Sequence, residues 1–261
     1  MVLVAVAALT GAGLPWCRAD SGGAGVIPAA ADRAGNQARD LWRQGDVNGA
    51  EKAWRQALAL APTWVDPQAG LAVVYQSRGE DTQARECYLR VQAASAGSCP
   101  AAASEEQRAL RNLIVSQEAN LAFLINRERR LHKVKLLLPD AAVGRIARQH
   151  SEEMRDLKYY GHDSPVEGMG NVADRFLRAF GVRPRCIAEN ISRRWGLSCR
   201  LNDARITESH QGLMCSAGHR ANILYPDFEV LGVGLAANLV EEYWITEVFV
   251  QPRQQLPPES Q

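Results

Sequence analysis

Gly79 follows Gly45 by 34 positions, and residues around the two glycines match at the same offset: Asp46 with Glu80, Ala50 with Ala84, Trp54 with Tyr88, and Leu41 with Tyr75. A repeat of this length holds two helices and their turns and little else. The glycine supplies the positive φ that a tight interhelical turn often needs. The alanine lets two helices approach closely, and the large aromatic residue one turn on fills the space beside it. Paired helices are therefore expected over residues 31–98. Pro62 closes the first unit, and Ala96 stands where the second would carry its proline.

This period resembles the tetratricopeptide repeat. Two units are fewer than usually stand alone, so a capping helix is expected within 99–117. Ser104, followed by Glu105 and Glu106, marks its start. The resemblance implies a concave surface for a protein or peptide partner, with Leu41 and Tyr75 as candidate contacts.

Upstream, Met1 to Leu14 is apolar but too short to span a bilayer. It reads as the core of a secretory signal covering residues 1–19, with Ala19 as a small residue at the cleavage point. Residues 20–33 are rich in Gly, Ala and Ser and read as a linker. Removal of the signal would leave five of the six cysteines. An odd number in an exported protein implies at least one free or intermolecular thiol. Spacing makes Cys87/Cys99 and Cys186/Cys199 the candidate pairs, and no Cys-x-x-Cys is present to suggest a thiolate metal centre. The formal net charge of +1 lacks the basic excess of a nucleic-acid binder.

Chemistry concentrates in the second half, in Gly161-His162-Asp163-Ser164-Pro165, Ala188-Glu189-Asn190 and Ser216-Ala217-Gly218-His219-Arg220. Two imidazoles and a carboxylate suit a divalent metal, zinc above all, with one coordination position left open. They equally suit acid–base work, or a histidine–glutamate hydrogen-bonded cleft holding no metal. A Ser–His–Glu arrangement can be drawn through Ser164 or Ser216, but no G-x-S-x-G turn accompanies it, and Ser164-Pro165 serves equally as a turn. His150 lies on the apolar face of a helix capped by Asp140 and is read as a core or supporting histidine rather than a ligand. Glu229 to Ala237 and Tyr243 to Val250 read as strands, and the Pro/Gln-rich tail, 251–261, as disordered.

The order of short motifs is more informative than any one of them. Ile125-Asn126-x-x-Arg129, Ala147-x-x-His150-Ser151-x-x-Met154, Gly161-His162-x-Ser164-Pro165, Ala188-Glu189-Asn190-Ile191, Ser216-x-Gly218-His219-Arg220-x-Asn222-Ile223-Leu224 and Phe228-x-x-x-Gly232-Val233-Gly234 occur in this sequence order. Residues 118–250 thereby resemble the CAP superfamily of cysteine-rich secretory, antigen 5 and pathogenesis-related proteins, most closely its bacterial secreted branch. The resemblance implies an α–β–α sandwich, so the whole chain is expected to be α+β, with an all-α repeat segment ahead of the sandwich. It makes His162, Glu189 and His219 the cleft residues and metal ligands, with Ser164, Asn190, Glu208 and Ser216 lining the cleft. Glu208 lies nearest the place of the second glutamate the family can carry there. The resemblance also allows a lipid or other hydrophobic ligand along the sandwich. The function expected is that of an exported binding module of the cell envelope or exterior. The alternatives are a hydrolase using the same cleft and a scaffold whose histidines are structural.

Overall fold

The computed structural model describes residues 26–196, 199–238 and 242–253. The expected signal segment, part of the linker and most of the tail lie outside them. Four helices come first: α1 (Ala29–Gln44), α2 (Val47–Leu60), α3 (Asp66–Ser77) and α4 (Asp81–Ala96). Gly45 and Gly79 occupy the turns inside the two helix pairs, at φ 85° and 78°. Ala50 and Ala84 are fully buried, and Trp54 and Tyr88 fill the space one turn on.

The expected cap and the helix beyond it are one element. Helix α5 (Glu105–Leu131) runs unbroken for 27 residues. It starts at a capping box, in which Ser104 Oγ accepts from Gln107 N and Gln107 Oε1 accepts from Ser104 N. No proline or glycine interrupts this stretch, so nothing ends the helix at 117. The boundary expected between a linker and a sandwich domain therefore falls inside a helix.

The sheet contains β1 (Leu138–Pro139), β2 (Cys186–Trp195), β3 (Val230–Ala237) and β4 (Glu242–Gln251) in the order β1-β3-β4-β2, with β1 parallel to β3 and the other pairs antiparallel. Its two faces bury alternate residues, as the two-residue period of a strand requires. Val230, Val248 and Val250 pack with Val143 and Ile146 of α6 (Ala141–Asp156) and Phe176 of α7 (Val172–Phe180). Leu231, Val233, Leu235, Ile245 and Phe249 join α5 and the pair α8 (Asp203–Cys215) and α9 (Ala217–Leu224). Helix α6 crosses β3 so closely that a Cβ on Gly234 would collide with the backbone of Ala147 and Arg148. The result is the expected α–β–α arrangement.

The N-terminal helices share the larger of these cores: Trp54, Leu71 and Tyr88 belong to one cluster with Leu124, Leu137 and Phe249. Buried polar contacts reinforce the seam. Tyr88 OH donates to Gln76 Oε1 at 2.6 Å and accepts from Asn126 Nδ2 at 2.6 Å. Asn126 also pairs with both backbone groups of Leu137 at 2.8 Å. Arg148 forms a bidentate pair with fully buried Glu118, whose Oε1 also accepts from Leu235 N at 2.8 Å, and it reaches Ser95 Oγ of α4 at 3.3 Å. Leu41 and Tyr75 are half-buried against this core, with Tyr75 OH accepting from Arg55 at 2.8 Å.

Neither cysteine pair expected from spacing forms; Cys87, Cys99, Cys186, Cys199 and Cys215 are all free thiols. Cys186 lies opposite Gln251, and Cys199, whose N–H donates to Gly196 O, sits beyond the other end of β2. The strand between them holds the two roughly 30 Å apart. Cys87 is buried within α4, its thiol pushed up to about 11 by that burial, while Cys99 lies past the helix end. The intervening helical rise is about 14 Å.

Candidate functional site

β2 is an edge strand, so consecutive residues address both helical layers at the rim of the sheet. Glu189 turns towards α6 and α7, and Asn190 towards α9. His162 comes from the loop after α6, and His219 from the first turns of α9. The structure thus brings all three predicted cleft residues to one edge.

Glu189 is the centre of the site. Its side chain is 3% exposed, so an ionised carboxylate there requires strong partners. Arg175 of α7, itself buried, donates to Oε2 at 2.5 Å, and His162 Nδ1 lies 3.0 Å from Oε1. His150 Nε2 approaches Oε1 at 3.7 Å, with its ring hydrogen bond directed at Gly161 O, 3.1 Å away. Arg175 also donates to the carbonyls of His162, Met169 and Gly170, at 3.1, 3.3 and 2.7 Å. One guanidinium therefore neutralises Glu189 and ties down the loop that presents His162.

The imidazoles differ. His162 is 54% exposed; its hydrogen bond to Glu189 raises its pKa above the ordinary histidine value, against the effect of partial burial. Burial, followed by the charge of His162, lowers that of His219, whose Nδ1 is buried without a hydrogen-bond partner among the described residues. Burial also lowers that of His150, which has the supporting place expected of it.

Glu189 spends both oxygens on Arg175 and His162, and a guanidinium at 2.5 Å opposes a second cation. Among the described residues no group of three or more His, Cys, Asp and Glu side chains is placed to hold a metal ion. Glu189 sits behind His162 as a buried carboxylate bonded to its Nδ1, the arrangement that fixes the tautomer of an imidazole.

The other predicted lining residues separate. Asn190 is central: Nδ2 donates to His219 O at 3.1 Å, and Oδ1 accepts from Asn222 at 2.9 Å. Ser164 builds a turn, its Oγ accepting from Val166 N at 3.0 Å and its N–H bonding Gly170 O at 2.9 Å. Ser216 sits at the joint between α8 and α9 without a side-chain cap bond. Glu208 is displaced from the expected lining: it is more than half exposed and pairs with Arg205, one turn away on α8, at 2.5 Å. None of the hydrogen bonds among the described residues joins Ser164, Ser216 or Cys215 to His162 or His219.

Sequence reasoning missed Arg175. The available signal was an arginine between the apolar residues Val172, Phe176 and Phe180, on the buried side of a short helix opened by Asn171. A charge there requires a buried partner.

Residues 123–251 match the family model of CAP, the cysteine-rich secretory protein family. With the α–β–α layers and the histidine–glutamate edge, this makes the C-terminal part of the chain a CAP, or SCP, domain. The chain is similar to several bacterial proteins. The uncharacterized protein YkwD of Bacillus subtilis (strain 168) is 31% identical over 121 residues, 46% of this chain and 43% of that protein, so this chain spans less than half of that relative's length. An extracellular protein containing a SCP domain from Bacillus anthracis str. Ames is 27% identical, with 59% of this chain and 45% of that one covered and a TM-score of 0.47. An outer surface protein from Borrelia burgdorferi is 11% identical, with 52% and 93% covered and a TM-score of 0.44. Among the described residues no helix is long and apolar enough to cross a membrane.

Proposed function

We propose that this chain is an exported binding module whose CAP domain presents a preset polar cleft and performs no hydrolysis. The observation that carries this reading is the double engagement of Glu189 by Arg175 at 2.5 Å and His162 at 3.0 Å. A carboxylate held this way orients His162 but is not free to take a proton from water. The nearby Ser164 Oγ accepts from Val166 N in a turn, and no hydrogen bond among the described residues joins it to His162 or His219. The apolar Met1 to Leu14 stretch and the family's secretory character support export. The N-terminal helices, read as two tetratricopeptide-like units, extend the surface open to a protein or peptide partner, with Leu41 and Tyr75 as the residues to substitute first.

A second reading, weak exchangeable binding of a divalent cation by His162 and His219, is favoured by the unpartnered buried Nδ1 of His219. Titration of the full chain with zinc at pH 7.5 and 5.5, beside a His162→Ala/His219→Ala variant, tests it. Binding at pH 7.5 that disappears at 5.5 and in the variant supports the cation reading, because imidazoles protonate near 6.5. The non-catalytic reading is tested on p-nitrophenyl acetate. It expects the same rate from wild type and variant, and a hundredfold or greater loss in the folded variant would overturn it.

A further inference from the structure

Glu247 lies on β4 directly opposite Asn190 of β2 and is fully buried, although no motif of the sequence points to it. Its Oε2 accepts from Asn190 Nδ2 at 3.0 Å, and its Oε1 has no partner among the described residues. The same amide nitrogen donates to His219 O, and the Asn190 oxygen accepts from Asn222. Asn190 is therefore shared between a buried carboxyl group and two positions of α9, three residues apart.

Helix α9 has eight residues and no side-chain cap, too short to hold itself in place. Its far end is gripped by buried Arg129 of α5, which donates to Ile223 O and Tyr225 O at 2.7 and 3.0 Å. Of these two clamps, only the one at Asn190 ends on a carboxyl group. The elements around Glu247 bring it no counter-ion among the described residues. β2 presents Asn190, β3 presents Val233 in register, and α9 presents Asn222; Arg129 of α5 gives Nε and Nη1 to backbone carbonyls, its Nη2 has no partner among the described residues, and its charge does not act on Glu247. Burial, opposed by a single amide donor, pushes Glu247 up to about 7.

We propose that Glu247 is a positioning residue for the cleft: through the Asn190 amide it sets the seat of α9 and with it the place of His219. This rests on the reading of His219 as a cleft residue. In its neutral form the carboxyl accepts one amide hydrogen while Asn190 keeps its bond to His219 O. Ionisation strengthens the pull on that amide and loosens the bond to α9.

Amide NMR and hydrogen exchange on the full chain test the assignment. Wild-type amides of Gly218, His219 and Asn222 are expected to show an inflection near pH 7 that disappears in Glu247→Gln. Inflections caused by the histidines persist in both proteins. Glu247→Leu is expected to speed exchange in α9 about tenfold, the scale of one lost hydrogen bond, with α6 unchanged. If Glu247→Leu does not fold, Asn222→Ala cuts the same chain from the α9 side and carries the same expectation. If Gly218, His219 and Asn222 titrate identically in wild type and Glu247→Gln, with no inflection lost, the proposal is overturned, as it is by equal loosening of α6 and α9. Such a failure leaves the cleft reading intact, since that stands on zinc and ester measurements with His162 and His219 variants.

Discussion

At the seam between the N-terminal helices and the sheet, the linked group Gln76, Tyr88, Glu118, Asn126 and Arg148 finds partners for all its buried side-chain polar atoms, although Gln92 of α4 and Gln117 and Arg129 of α5 each leave one without; in the α8–α9 layer and β4 beside it, His210, His219 and Glu247 each leave at least one without a partner among the described residues. Both regions are buried and both are polar. A fully paired network fixes one arrangement of the chain, whereas an incompletely paired one keeps groups whose protonation or binding can still change. The difference assigns holding to the seam and response to the cleft side.

Breaking the seam should have the largest effect. Arg148→Ala strands Glu118 as an unpaired buried carboxylate and should cost about 3–5 kcal/mol in urea unfolding. A loss below about 1 kcal/mol would place the strength of the seam in its apolar contacts alone. Tyr88→Phe removes one hydroxyl that serves Gln76 and Asn126 together and should cost about 1–3 kcal/mol, read from the same unfolding curves.

On the cleft side, two buried groups should give opposite pH slopes. His210 is fully buried with neither ring nitrogen partnered among the described residues, and burial pushes it down to about 4. The unfolded chain takes up that proton first, so stability is lost as pH falls from about 6.5 towards 4, by roughly 3 kcal/mol in all. His210→Leu should remove this loss, and its advantage over wild type should grow on acidification. Glu247 acts in the other direction. The folded state keeps its proton up to about 7, so stability is lost as pH rises from about 4.3 towards 7, by a similar amount. Glu247→Gln should gain on wild type across that window. Thermal melts from pH 5 to pH 8 check both. Parallel curves for wild type and both variants would erase the distinction between the regions.

The smallest stability effect belongs to His162, whose side chain is more than half exposed. His162→Ala should change stability by no more than about 0.5–1 kcal/mol, whatever it does to binding. A larger loss would make His162 part of the scaffold.

Much of this contrast was legible in the residues. The 34-residue offset located both interhelical turns, and the order of the motifs brought His162, Glu189 and His219 to one edge. Strand β2 was not assigned from the sequence, because its polar run Glu189-Asn190 and Ser192-Arg193-Arg194 hides the alternation that an edge strand needs on only part of its length. β1 is two residues of a leucine run whose pairing is parallel and distant, and local sequence carries no sign of that. Arg175 and Glu247 escaped notice for the same reason: each matters because of a partner, Glu189 or Asn190, that comes from another element. The continuity of α5 across Glu105–Leu131 was not legible either, because the packing of that helix against both α4 and the sheet is not local to it.

Hydrogen exchange across the whole chain decides between a locked seam with an adjustable cleft and a molecule of uniform stability. We expect α3, α4, α5 and α6 to exchange together, only through global unfolding, while α8 and α9 open locally and sooner. If the four N-terminal helices exchanged as a unit of their own ahead of α5 and α6, or if α9 were protected as strongly as the seam, the contrast between the two regions would be contradicted.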